Sequence, residues 1–430
     1  MHYLTKWLNH FHWLGLILFP VLCYSQSVEP LRLNDVLQQA RANYPLIKQK
    51  DLIAKTTQLN LQNLSKGYLP QLSFSGQASY QSAVTEIDIP VPGVKVEPLS
   101  KDQYKIVADV NQLIYDGGTI RSQQQLQTLT GAMEQQRLEV ELYQLQDRIT
   151  TLFIGILFFD EQKRQLEVIR KDLNSAIKKV EAQVENGVAF RSNVSVLKAE
   201  LLKTNQREIE LQSGRRGLVD ALAVFLNRSI APDITLVVPD LPVTDTLSDL
   251  SSRPELNYYS AQDKLLSAQT ALIRSKVLPK ASVFFQGGYG RPGLNFLKNE
   301  FDPYYIGGVR LNWSLGNFYT NKKEKELVDV NRQSVALQKE TFILNTKTQL
   351  VKEANEISKM NQLLATDNEI IQLRVTVKDA AKAQLENGVI TANDYLREVN
   401  AEDQARLTLI THQLQLLQAR LDYQIISGKR

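Results

Sequence analysis

The sequence predicts an α+β membrane protein: two β-hairpins per protomer, each continuing into long coiled-coil helices. Three observations predict it. Short motifs recur at equal spacing in the two halves of the chain. Four segments alternate apolar and polar residues, as strands do. Two stretches of more than sixty residues contain no proline, and the first carries a seven-residue apolar repeat.

The repeat comes first because it fixes the other elements. Asn43-Tyr44-Pro45 is followed by Ser65-Lys66-Gly67-Tyr68-Leu69-Pro70, and Ser252-Arg253-Pro254 by Ser275-Lys276-Val277-Leu278-Pro279. Pro45 to Pro70 and Pro254 to Pro279 both span 25 residues. Asn111 stands 75 residues before Asn186-Gly187-Val188, and Asn312 stands 75 before Asn387-Gly388-Val389. The division is a leader (1–25), a first repeat (26–230), a Pro-rich link (231–249) and a second repeat (250–430).

Strands are expected at 70–84, 104–116, 279–290 and 304–316. Leu72, Phe74, Gly76, Ala78 and Tyr80 fall on one face, and Ser73, Ser75, Gln77 and Ser79 on the other. The same alternation sets Tyr305, Val309, Leu311 and Trp313 against Arg310 and Asn312. Ten-residue strands are long enough to cross a bilayer when tilted, and Tyr68, Tyr80, Tyr104, Tyr115, Tyr289 and Tyr305 near their ends suit interfacial girdles.

Helices are expected at 31–65 with a break near Pro45, at 119–186 and 192–227, and at 321–386 and 394–426. Leu142, Leu145, Ile149, Leu152, Ile156, Phe159, Leu166, Leu173, Ile177, Val180 and Val184 mark the coiled-coil seam of the first long helix. At 1.5 Å per residue such a helix is a rod of roughly 100 Å. The string Asp116-Gly117-Gly118 is read as a flexible break between strand and helix.

Composition excludes several function classes. The formal charge is +4, with no basic region to hold nucleic acid. Lys6 and the apolar run Trp13 to Leu22 read as an export signal ending at Ser25. A lipoprotein would use Cys23, but Leu22 before it is too large for that motif. Cleavage would remove the one cysteine and leave His412 as the sole histidine, so no metal site, cofactor or His-based catalytic set is expected. Gly288-Tyr289-Gly290-Arg291-Pro292-Gly293 has dinucleotide-loop spacing but opens no amphipathic helix, and is read as a turn at a strand end. Four strands cannot close a barrel alone. Open edges in lipid leave polar groups unpaired at several kcal/mol each. Three chains would give an even, twelve-stranded barrel.

On these motifs the chain resembles the TolC-like outer-membrane efflux family. Leu31-Arg32-Leu33-Asn34-Asp35-Val36-Leu37 is similar to the family's opening, Leu113-Ile114-Tyr115-Asp116-Gly117-Gly118 to its strand-to-helix junction, and Asn186-Gly187-Val188 and Asn387-Gly388-Val389 to its two periplasmic turns. The resemblance implies a homotrimeric, non-enzymatic conduit in outer-membrane lipid with a long periplasmic part. It would dock a periplasmic adaptor and, through it, an inner-membrane transporter. Gly187, Val188 and Phe190, with Gly388, Val389 and Ile390, are the expected docking tip. In the family, acidic residues one turn apart after the second turn ring the constriction. Asp394 matches the first, Arg397 stands in place of the second, and Glu398 lies beside it. A periplasmic adaptor or a coiled-coil structural protein of the envelope remains the alternative. The first should have one hairpin and soluble β-domains, and the second would not need the alternating strands.

Overall fold

The computed structural model describes residues 29–86, 98–240 and 250–428. The expected signal peptide (1–25) and part of the link (241–249) lie outside the described residues. The elements are α1 (Leu33–Asn43), α2 (Gln49–Ser65), β1 (Gln71–Tyr80), β2 (Asp102–Tyr115), α3 (Thr119–Glu185), α4 (Arg191–Leu226), α5 (Pro254–Ser275), β3 (Lys280–Arg291), β4 (Asp302–Asn312), α6 (Asn317–Glu386) and α7 (Ala392–Ser427). The order helix, strand, strand, long helix, return helix thus occurs twice. Pro45 divides α1 from α2 because the residue before a proline is driven out of the helical region. Tyr44 is extended (φ −66°, ψ 125°), and a single 3-10 turn follows.

The four strands form one antiparallel sheet in the order β1-β2-β3-β4. Its register sorts the side chains into two faces. Leu72 pairs with Val110, Val110 with Phe285, and Phe285 with Gly307; Phe74, Ala108, Gly287 and Tyr305 make the next row. This face also carries Tyr80, Ile106, Tyr289, Val309 and Leu311, all exposed, with Phe74 74% and Leu311 69% accessible. The opposite face carries Gln71, Ser73 and Ser75 on β1, Asp109 and Asn111 on β2, Ser282 and Gln286 on β3, and Arg310 and Asn312 on β4. The sheet is therefore apolar on one face and mostly polar on the other, with both faces of its edge strands exposed, unlike a soluble sheet packed by its apolar face on a core.

Several boundaries differ from expectation. β1 ends at Tyr80, not at residue 84, because the ladder closes one bond later, where the Gln81 N–H donates to the Lys101 carbonyl (2.8 Å). β4 ends at Asn312 rather than at residue 316. The Trp313 indole donates to the Val277 carbonyl (3.0 Å), and residues from Ser314 already turn towards α6, which starts at Asn317. Asp116-Gly117-Gly118 is a fixed turn, not a loose one. The buried Asp116 carboxylate accepts from the N–H groups of Gly118 (2.8 Å) and Ile120 (2.7 Å), capping α3. Gly117 (φ +69°) and Gly118 (φ +79°) supply left-handed backbone there, and a Cβ on Gly117 would come 2.8 Å from that of Leu278. The Gly-rich string straddles the strand end: Gly288 to Arg291 belong to β3, and Pro292 and Gly293 follow it. Gly288 makes room for the Tyr304 ring and Gly290 for the backbone of β2.

The helices pack side by side. α2 and α4 cover successive stretches of α3: Ile53 meets Leu138 and Leu142, and Leu222 and Leu226 join Leu145, Ile149 and Phe153. On its other side α3 touches α5 and α7, which in turn pack on α6. The order across the protomer is thus α2/α4, α3, α5/α7, α6. α3 is an inner column, which explains why Phe153, Ile154 and Leu157, off the seven-residue seam, are buried too. The described part of the link docks just before α1, where the Leu31 N–H donates to the Thr235 carbonyl (2.9 Å) and the Val237 N–H donates to the Leu31 carbonyl (2.9 Å).

Candidate functional site

Two features are candidates: the helical tips farthest from the sheet, and the two margins of the protomer.

Each long helix ends in the same way. Asn186 and Asn387 close the helices, and Gly187 (φ +74°) and Gly388 (φ +71°) follow in the left-handed region. The Val188 N–H donates to the Gln183 carbonyl and the Val389 N–H to the Gln384 carbonyl, each at 2.8 Å. This is the Schellman arrangement, which only glycine enters without strain. It turns the next residue outwards, so that Val188, Phe190 and Val389 are 70%, 79% and 71% exposed. Ile390 does not join them. It is half-buried against the lower core of Leu173, Ile177, Val180, Leu385 and Tyr395, as is Ala189.

The return helices begin differently. Thr391 and Asp394 form a reciprocal capping box on α7. The Thr391 hydroxyl donates to the Asp394 carboxylate (2.7 Å) and accepts from its N–H (3.3 Å), and the Thr391 N–H donates back (3.2 Å). The Thr391 hydroxyl, then its N–H, hold the Asp394 carboxyl below the usual range. This contribution is present above the ordinary carboxylate pKa and is lost as the pH falls through the lowered one. α4 has Phe190 at the cap position and no capping side chain. Instead, Asn193 Oδ1 accepts from the Ala392 N–H of α7 (3.4 Å).

Asp394 and Arg397 are not paired with each other within the protomer. Arg397 is exposed, and its Nε donates to Glu398 (3.1 Å), which Arg374 also approaches (3.7 Å). Farther from the tip lies a buried ion network that sequence reading did not find. Lys378 reaches Asp172 on α3 (3.0 Å) and Glu402 on α7 (2.7 Å), and Arg406 holds the other side of Glu402 (2.6 Å). Burial pushes the Lys378 amine down, but the Glu402 and Asp172 carboxylates outweigh it and leave the pKa raised. Burial, followed by the Asp172 charge, pushes the nearby Tyr395 phenol up to about 12.

The margins were also missed. On α6 the exposed residues Val330, Leu337, Leu344 and Val351 recur every seven residues, away from the buried Val328, Val335 and Leu350. At the opposite margin Leu52 and Leu59 on α2, and Leu202 and Ile209 on α4, are exposed at the same spacing. The seven-residue spacing of Val330 to Val351 was visible in the sequence as a second seam. Each apolar helix margin continues into an unpaired strand edge: α2 leads into β1, and β4 leads into α6.

A four-stranded sheet with one apolar face, continued by long helical columns whose margins carry exposed apolar stripes, is the frame the candidate features share. Comparison with known proteins gives what the chain is similar to. A family model described as outer membrane efflux protein matches residues 36–228, which is most of the first repeat. The chain is similar to solved structures of CusC (TM-score 0.71, 12% identity, 93% of this chain and 92% of that one). It is likewise similar to VceC of Vibrio cholerae (0.66, 13%, 92% and 96%) and to the open state of the MtrE channel of Neisseria gonorrhoeae (0.64, 14%, 93% and 89%). No curated protein sequence matches it. The chain is TolC-like in fold throughout, and over its first repeat it carries the sequence pattern of the outer membrane efflux proteins.

Proposed function

We propose that the chain is one protomer of a homotrimeric outer-membrane channel that conducts solutes outwards from a periplasmic adaptor and an inner-membrane transporter. The observation that carries this reading is the matching of the margins. β1 stands at one end of the strand order and follows α2, which with α4 stands at one end of the helix order; β4 stands at the other end and leads into α6, the last helix of that order, and each of these end helices carries an exposed apolar stripe. The two margins are different surfaces, so joining them is a head-to-tail contact, the kind that makes a ring when its rotation closes. Three copies make twelve strands, an even number in the range of bacterial barrels. The apolar face then meets lipid, and the polar face lines the pore. No chemistry is asked of the protein beyond holding the pore open or shut. An adaptor or a coiled-coil structural protein would not need the apolar outer face of the sheet. The mass of detergent-extracted protein tests the reading directly. A trimer is expected, and a folded monomer or dimer would end it.

The tip supplies the partner contact. Val188, Phe190 and Val389 offer apolar side chains at the periplasmic end of each protomer, with no core function to fulfil. Phe190→Asp with Val389→Asp should abolish export while trimer amount stays normal. Normal export by that variant would remove these residues from docking. Ile390 is better left intact, because it packs in the lower core.

The same end holds the gate. Asp394 is committed to its cap, so the exposed cation of this turn is Arg397, whose side chain is 74% accessible and donates to Glu398. Three-fold symmetry would bring three such arginines towards the axis and disfavour cations there. Arg397→Ala should raise single-channel conductance in planar bilayers and strengthen cation preference. Unchanged current and unchanged selectivity would exclude Arg397 from the constriction.

A further inference from the structure

The polar face of the sheet changes charge along its length. At the end farther from the helices, Lys105 and Asp302 lie in one row of the register, either side of Gly290, and balance each other. The β1 residues on this face are all uncharged: Gln71, Ser73, Ser75, Gln77 and Ser79. Towards the helices the balance is lost. Arg310 pairs in register with Ser282, and Lys280 with Asn312; neither cation has a carboxylate partner among the described residues. The carboxylate of this face nearest to them in the register, Asp109, lies opposite Gln286, two rows above Arg310. Glu324, beyond the sheet, is already taken by Lys276 (2.8 Å).

Arg310 is also held in place. Its guanidinium sits 4.5 Å from the centre of the Phe284 ring, on the same face one strand away. Stacking of this kind costs the fork none of its donors and fixes its plane, leaving the N–H edges free for an oxyanion. The two cations border a concavity of about 470 Å³, whose other polar walls include Asn111, Ser282, Asn312 and Ser314. The site is a cationic recess with amide and hydroxyl donors at the neck where barrel meets helices. Such a recess takes multivalent anions, with phosphate or carboxylate groups accepting from the guanidinium in pairs.

We propose that Lys280 and Arg310 form an anion-binding collar on the lumenal wall, which recruits multiply negatively charged solutes into the barrel. The proposal rests on the channel reading: a trimer would carry six of these cations around one ring. Low-dielectric walls focus the field of such a ring into the lumen. Its reach depends on salt, with a Debye length of about 30 Å at 0.01 M and about 3 Å at 1 M. The collar therefore governs entry at low salt and fades at high salt.

The test is block of single-channel current by inorganic pyrophosphate in planar bilayers, with the probe added to each chamber in turn. In about 0.01 M salt, pyrophosphate should block wild-type channels from the barrel side, and block should weaken about tenfold in Lys280→Gln with Arg310→Gln. Lys280→Glu with Arg310→Glu should exchange sensitivity to pyrophosphate for sensitivity to hexamminecobalt(III), a gain that misfolding cannot produce. Equal pyrophosphate block in wild type and both variants, in channels that conduct normally, would overturn the collar alone. Wild-type trimers that never conduct would overturn the channel reading, and the collar with it.

Discussion

Phe74→Lys is expected to deplete the assembled trimer from the membrane, while Asn111→Lys leaves it intact. Phe74 is exposed on the apolar face, in a row with Ala108, Gly287 and Tyr305, well inside the sheet. A lysine placed there meets hydrocarbon and costs about 2–4 kcal/mol near the bilayer midplane. Three copies per barrel triple the cost. Leu311 is one residue from the end of β4, so Leu311→Lys should cost less, about 0–1 kcal/mol at the interface, because its amine can snorkel out. Asn111 and Asn312 project from the opposite face, where water hydrates a new charge. The amount of heat-resistant trimer in outer-membrane fractions measures all four. Equal loss in the Phe74 and Asn111 variants would show that the two faces have been assigned the wrong way round.

Lys378→Met should loosen the lower third of the tube without touching the barrel. The amine is buried and bridges α3 to α7 through Asp172 and Glu402. Removing one member of a buried ion set leaves the others charged and unpaired, which typically costs 3–5 kcal/mol. Arg406 still serves Glu402, so about 3 kcal/mol is the better expectation here. Hydrogen exchange in α6 and α7 between Lys378 and Glu402 should accelerate, and protection of the strands should stay unchanged. Lys378→Met with Asp172→Leu should recover part of the loss, since no orphaned carboxylate then remains on α3. If the single and double variants exchange alike, the network is not what joins these helices. The pH sign follows from the raised amine. Its contribution is present below the ordinary lysine pKa and fades only as the pH rises through the higher, folded value, so the network holds throughout the neutral range.

The sequence made legible whatever depends on period and spacing. Strand faces follow from alternation alone, and the register placed Phe74 and Asn111 on opposite sides of the sheet. The Asn-Gly-Val turns were readable because the left-handed step after a helix selects glycine. What stayed hidden depends on which helix lies beside which. Ile390 and Val389 are adjacent apolar residues in one turn, and only the position of α3 decides that one packs and the other does not. Arg397 could have met Asp394, one turn away; the capping box with Thr391 had already taken that carboxylate. Lys378, Asp172 and Glu402 lie far apart in the chain and meet only through the column order. Strand ends were misplaced for a related reason. The expected strand ran past Tyr80, but a strand stops where its partner stops, and Tyr80 pairs with Asp102, the first residue of β2.

The column order also bears on how the tube is made. Before it meets its neighbours, a protomer is finished in the middle and unfinished at both flanks: α3 is clothed on two sides, α6 on one. In the trimer proposed above, the flanks would complete themselves only by collision with another copy, which would make the last part of folding a concentration-dependent step. During that interval the stripe from Val330 to Val351 is sticky and the outer strands are bare. For such a trimer the most vulnerable period of the chain would fall before assembly, when crowding by its own kind is both the hazard and the remedy.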